Sequence, residues 1–335
     1  MSRLDPIAHV PPAAAVPVEL RHRPFHVHEA RALGVSERRL RGKSWTSPFP
    51  RVWVHVDHAM SGLDWIAAAA LAMPRRAQLS HLTRIQALGL DFGPTKPFRF
   101  TVAGDLHIDL DDIFLHRTEV LPPLDDVGVT PAAAFIQYCS TARLIDAIKV
   151  GDWLLHHRHM TVLEVSELSR RDGWRPGARQ VRRVLPNLDP ASRSLKESET
   201  RAIVIFSGLP IPEVNYDVRD DRGDLVGCGD LVYLRWKLLI EYEGRQHLHD
   251  LDQWNSDIDR YRAFRDEGWR YVQVTNEKLE RPKKLVSEIY AQLVRSGYDG
   301  PAPVFADRWS SLFEPIAKSV QKAVTLRPVR AQIGR

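Results

Sequence analysis

Asp230, Glu241 and Glu243, in the stretch GCGDLVYLRWKLLIEYEGRQHLHD, have the type and spacing to gather around a hard divalent cation. The run Leu238-Leu239-Ile240-Glu241-Tyr242-Glu243 is short, apolar at its start and stopped by Gly244, which predicts a strand rather than a helix. Side chains alternate across a strand, so Glu241 and Glu243 fall on one face. With residues 229–234 as the hairpin partner, Asp230 reaches that face too, and several carboxylate oxygens meet at one strand end. Mg²⁺ (or Mn²⁺) is bound by such oxygens, and Mg²⁺ usually keeps several waters.

The elements that must position these acids are the clearest in the chain. SLKESETRAIVIFSGLP predicts a helix ending at Gly208, and EVNYDVRDDRGDLVGCGDLVYL a hairpin turned by Asp-Asp-Arg-Gly. KLLIEYEG is the third strand, SDIDRYRAFRDEG a helix stopped by Gly268, WRYVQVT a fourth strand and KKLVSEIYAQLVRSG a closing amphipathic helix. The order is helix, three strands, helix, strand, helix.

Upstream, residues 1–23 are rich in Pro and Ala without a period and read as a disordered arm. HVHEARALGVSERRLRGKSW then predicts a helix, a turn at Gly34 and a second helix capped by Ser36, and PFPRVWVHV a short strand segment. That layout suits a winged helix whose second helix enters a DNA major groove. Between them lie an Ala-rich helix broken at Pro74 and a helix entered at Ser80-His81. Strands are predicted at FRFTVAG, LHIDL and IFLHRTEV, and helices at 131–150, 152–157 and 161–170, before the basic helix in RPGARQVRRVLPNL. Ser80 and His81 invite a nucleophile and base pairing, but neighbours on a helix point apart, so a helix cap with a packed histidine is expected.

Composition narrows the class. A chain of 335 residues suits two or three modules, and 44% apolar residues support a globular protein. A formal charge of +5 and a pI near 9.2 fit an anionic partner. Cys139 and Cys228 stand alone, which argues against a disulfide scaffold or a zinc site and for a reducing cytoplasm. The longest apolar run, WIAAAALAM, falls short of the roughly 20 residues that span a bilayer. No membrane partner and a cytoplasmic setting are therefore expected.

The element order and its acids resemble the PD-(D/E)XK nuclease superfamily, and within it the very-short-patch-repair-like branch, over about residues 193–294. The matching residues are Asp230, Glu241-Tyr242-Glu243-Gly244, His247, Asp257 with Arg260, and Gly268-Trp269, with Glu197-Ser198-Glu199-Thr200-Arg201 on the first helix. The resemblance implies metal-assisted phosphodiester hydrolysis, with Asp230 and Glu241 as ligands and Glu243 as a third ligand or water-orienting group. It further implies His247 as donor to a phosphate or leaving oxygen and Glu197 as a helix-borne acid, for which Glu199 could substitute. Glu243 stands where the superfamily pattern has Lys. Asp257 and Arg260 read as an ion pair within a helix.

GVSERRLRGKSW, RVWVHV and Ala77-Gln78-Leu79-Ser80-His81 resemble the N-terminal domains of AbiEi-like type IV antitoxins, over about residues 25–150. That resemblance implies DNA binding through Arg38, Arg39, Arg41 and Lys43. The expected α/β architecture is a winged-helix head at 24–60, a small α/β middle region at 61–192, a restriction-endonuclease-like domain at 193–298 (α-β-β-β-α-β-α) and a tail at 299–335. A metal-dependent DNA endonuclease is the expected function. The alternative is a non-enzymatic DNA-binding regulator of antitoxin type with a degenerate nuclease fold.

Overall fold

The computed structural model describes residues 17–243 and 262–318. They form a mixed α/β protein with three small sheets, divided into two compact units, Met1–Val129 and Thr130–Arg335. The division falls inside the stretch 61–192 expected as one middle region. Among the described residues no helix is long and apolar enough to cross a membrane.

In the first unit, a 3₁₀ turn at Val18–Leu20 precedes β1 (Phe25–His26), α1 (Val27–Ala32), α2 (Glu37–Leu40), β2 (Trp45–Phe49) and β3 (Val52–His55). Leu20 is fully buried with Phe25, Val27, Leu40 and Trp45, so packed chain begins ahead of Pro24 and the arm expected at 1–23 is shorter. Burying one such leucine is worth about 1.5–3 kcal/mol, enough to hold the segment down. Gly34 makes the α1–α2 turn at φ +75°, and the Ser36 hydroxyl accepts the Arg39 N–H as the cap of α2. Because α2 lasts only four residues, Arg41 is its C-cap and Lys43 lies past its end. The three strands pair antiparallel in the order β1-β3-β2.

The chain continues through α3 (Gly62–Ala72), β4 (Gln78–Leu79), α4 (His81–Gln86), β5 (Phe98–Ala103) and β6 (Ile113–Thr118). Ser61 and Asp64 close a capping box at the start of α3. β5 runs antiparallel to β4 and parallel to β6. A parallel pair needs a crossover, and LHIDL, predicted as a strand, belongs to that irregular connection. Its Ile108 and Leu110 pack instead on the core formed by Ile66, Leu79, Phe98 and Phe100.

The second unit opens with α5 (Pro131–Cys139), α6 (Leu144–His156), α7 (Val162–Arg171) and α8 (Ala178–Val184). The helix break predicted at Gly151 falls at 140–143; Gly151 stays inside α6, where an added Cβ would stand 2.6 Å from Leu188 and 2.9 Å from Phe135. Its role is close packing. Then come α9 (Leu195–Phe206), β7 (Glu213–Arg219), β8 (Leu225–Tyr233), β9 (Leu238–Tyr242), a helical stretch at 262–266 (α10), β10 (Arg270–Val274), α11 (Asn276–Leu279), α12 (Pro282–Arg295) and α13 (Asp307–Leu312). In the β7–β8 turn Asp220 Oδ1 accepts the N–H groups of Arg222 and Asp224. The sheet order is β10-β9-β8-β7, with β10 parallel to β9 and the other pairs antiparallel. Trp309, Leu312 and Ile316 are buried, so part of the stretch expected as a tail packs into this unit's core.

Candidate functional site

The β8–β9 register pairs Leu231 with Ile240 and Val232 with Leu239. Carried one residue further, it sets Asp230 across from Glu241. Alternation from Leu239 puts Glu241 on the face that carries the apolar cluster of Val218, Val232, Leu239 and Phe264, whereas β8 breaks its alternation around Asp230, since a Cβ on Gly229 would also meet Val232 and Leu239. Asp230 Oδ2 accepts the Tyr242 N–H at 2.9 Å, which ties its carboxylate to the β9 backbone. Glu241 is 3% exposed and Asp230 half-buried.

Glu243 lies one residue past β9, its N–H donated to Val274 O at 2.9 Å. Its carboxylate accepts from the Tyr271 hydroxyl at 3.0 Å and from the Gln273 side-chain amide. A cavity of about 480 Å³ adjoins it, lined by Arg265, Trp269 and Arg270 along with Tyr271 and Gln273. Glu197 is buried near the start of α9, which Ser194 caps through the Glu197 N–H at 3.1 Å. Its Oε2 accepts from the Arg193 N–H at 2.9 Å and from Asn215 Nδ2 at 2.6 Å. Asn215, between the β7–β8 pairs Val214–Leu231 and Tyr216–Gly229, stands across from Asp230. Glu197 is thus held by Asn215, a residue that sequence reasoning missed, at the β7 position level with Asp230. The only signal was an Asn inside a strand, a type that tolerates the left-handed φ of +48° found there.

The rest of Glu197-Ser198-Glu199-Thr200-Arg201 is engaged elsewhere. Glu199 pairs with Lys149 at 3.0 Å and Lys196 at 3.2 Å, so it is not the spare acid it could have been. Arg201 donates to Asp152 at 2.7 Å and to Asn187 O at 2.8 Å, and Asp152 also accepts the Asp189 N–H at 2.7 Å. Burial pushes the Asp152 carboxyl up, against the pull of Arg201 and the Asp189 N–H. His247, Asp257, Arg260 and Gly244 lie outside the described residues.

Among the described residues, no three His, Cys, Asp or Glu side chains stand together as a group that could hold a metal ion. Mg²⁺ takes one or two acids and fills its octahedron with waters and substrate phosphate, so Asp230 and Glu241, on adjacent strands, are the acids here of the type it uses. On the head, Arg38, Arg41 and Lys43 are exposed and Arg39 is half-buried. Exposed Arg51, at the β2–β3 turn with φ +65°, adds a cation the sequence did not single out; its guanidinium contacts His28 Nε2 at 2.6 Å.

Ser80 and His81 correct the expectation that they point apart. His81 has φ +53°, outside the helical range, and this swings its ring back so that Nδ1 lies 2.9 Å from Ser80 Oγ. The histidine is packed as expected, but the hydroxyl goes to the imidazole rather than to a capping bond. The His81 ring stacks on His116 at 3.8 Å, and Arg99 reaches His116 Nε2 at 3.2 Å. Burial, with His116 and Arg99 adding to it, holds His81 well below the usual imidazole range, and burial beside Arg99 brings His116 down to about 4. Ser80 is 0% exposed, so the pair has no access for a substrate.

No family model matches the chain. Two curated relatives from Mycobacterium tuberculosis, uncharacterized protein MT2308 of strain CDC 1551 / Oshkosh and uncharacterized protein Rv2248 of strain ATCC 25618 / H37Rv, are each 25% identical over 175 residues. The match covers 52% of this chain and 64% of each relative, a little less than two thirds of their length.

Proposed function

We propose that the chain is a metal-dependent DNA endonuclease with a restriction-endonuclease-like fold in its second unit and a winged-helix head in its first. The observation that carries this reading is Asp230, bound to the Tyr242 N–H, beside buried Glu241 where β8 and β9 run on from their Leu231–Ile240 pair, with the order β10-β9-β8-β7 and a parallel β10 around them. The strand order β1-β3-β2 beside α1 and α2, with Arg38, Arg41 and Lys43 exposed, supports a DNA-binding head. Bound Mg²⁺ or Mn²⁺ would polarise the scissile phosphate and lower the pKa of a water. Asp230 and Glu241 would hold the cation, Glu243 would orient the water or add a ligand, Glu197 would shape the acid edge through Asn215, and His247 would supply a proton. Arg265 and Arg270, beside Glu243, suit the phosphate backbone.

A second reading, a DNA-binding regulator of antitoxin type without cleavage, is favoured by Glu243 at the position of the pattern's Lys. Purified protein on supercoiled plasmid, mismatched duplex and single-stranded DNA, with Mg²⁺, Mn²⁺ or EDTA, separates the two. The nuclease reading expects cleavage that EDTA and Asp230→Asn both abolish while DNA binding persists. Binding without cleavage of any substrate would leave the regulator.

A further inference from the structure

We propose that the connection between α7 and α8 is a nucleic-acid contact of its own, in which the Trp174 indole stacks on an unpaired base while Arg171 and Arg179 hold the flanking phosphates. It rests neither on the nuclease reading nor on the head. Between residues 170 and 183 the chain carries six arginines, Arg170, Arg171, Arg175, Arg179, Arg182 and Arg183, against one acid, Asp172. That local excess equals the formal charge of +5 on the whole chain, so the remainder of the chain is balanced overall and this stretch is where a polyanion is drawn.

The turn is built to hold the indole out. Of the tryptophans among the described residues Trp174 alone is exposed, at 60%, although tryptophan is on average well buried. The Arg175 guanidinium lies over its ring, 4.3 Å from the centroid, and is itself fixed by donating Nε–H to Asp172 Oδ2 at 2.9 Å. Asp172 closes α7 by donating its N–H to Leu168 O at 2.9 Å, and Arg182 Nη2 donates to Ser169 O across the turn. Ala178, Val181 and Val184 bury the inner face of α8, while Arg179 near its start and Arg171 at the end of α7 are exposed. A ring so anchored, with more than half of its residue's surface open, is a platform for a planar base, and it takes any base because every base has a π-face. In a duplex the bases are already stacked on one another, so the partner is a single strand or an unpaired stretch. A second copy of this chain does not fit, because it would set the same arginines against each other.

The test is fluorescence anisotropy of the full-length protein in EDTA with a labelled oligothymidine strand and a labelled duplex. It is repeated in a background of Arg38→Ala, Arg41→Ala and Lys43→Ala, which removes the head's share. Stacking of one base on an aromatic side chain is worth about tenfold in affinity. Trp174→Leu should therefore weaken single-strand binding about tenfold and Trp174→Phe less, with duplex binding and melting temperature little changed. Arg171→Ala with Arg179→Ala should lower the slope of log affinity against log salt by about 0.7 for each phosphate released. Wild-type protein that does not bind the single strand, Trp174→Leu that binds it as tightly as wild type, or an equal loss on the duplex overturns the proposal. Labelled polyglutamate bound as tightly as the oligonucleotide, and weakened equally by Trp174→Leu, would make this a surface for an acidic protein and overturn it too.

Discussion

Arg201 on α9 and Asp152 on α6 form a buried ion pair at 2.7 Å, with the carboxylate 0% and the arginine 4% exposed. It joins the first helix of the acidic module to a helix more than forty residues upstream, which is why residues 130–192 share a unit with the site. Removing one partner strands a charge away from water. Asp152→Ala should cost about 3–5 kcal/mol in urea unfolding, whereas Asp152→Leu with Arg201→Met should cost much less.

Gly177 offers a backbone test of the same unit. At φ +94° it starts α8, and an added Cβ would lie 1.7 Å from Ile136 O. Gly177→Ala therefore combines a left-handed residue with an overlap against main chain, and should destabilise by at least about 3 kcal/mol or abolish soluble expression. Gly208→Ala, with φ +88° but nothing within 4 Å of the new Cβ, should cost less.

The stacked histidines give the first unit an acid limit. His116 titrates near 4 in the folded chain against about 6.5 when unfolded, so the unfolded state takes up its proton first as pH falls. Stability contributed by the neutral ring is intact above about pH 6.5 and is lost progressively toward pH 4. His81 acts in the same direction. Chemical denaturation between pH 7 and pH 4 should show this slope, and His116→Phe should flatten it.

The head should bind through phosphates. Replacing Arg38, Arg41 and Lys43 with Ala should weaken binding to duplex DNA and reduce the slope of log affinity against log salt by about 0.9 for each phosphate no longer neutralised. An unchanged slope would place the DNA-binding surface elsewhere.

The strands around the acids are legible in the sequence, because apolar alternation and the Asp-Asp-Arg-Gly turn are local signals. The same holds for the Ser36 cap and the Gly34 turn. Features that depend on distant partners are not legible. Nothing near Gly151 announces that Leu188 and Phe135 need its missing side chain, so a glycine inside a helix reads as a break. Nor does anything beside Asp152 point to Arg201, forty-nine residues away, which the fold brings against it. LHIDL alternates like a strand, but the parallel pairing of β5 and β6 uses that stretch as a crossover. His81 follows a helical direction if read from its neighbours, and its own φ overrides that.

Asn215 has a second effect besides holding Glu197. β7 is the outer strand of its sheet among the described residues, and an unpaired strand edge is a template on which another extended chain can grow. A left-handed residue in the middle of that edge, with charged Glu213, Asp217 and Arg219 exposed around it, breaks the row of outward N–H and C=O groups an incoming strand would need. The residue that holds the helix acid thereby also guards the open edge against edge-to-edge aggregation, so Asn215→Val, which favours regular strand geometry, should show its defect first as self-association at high concentration.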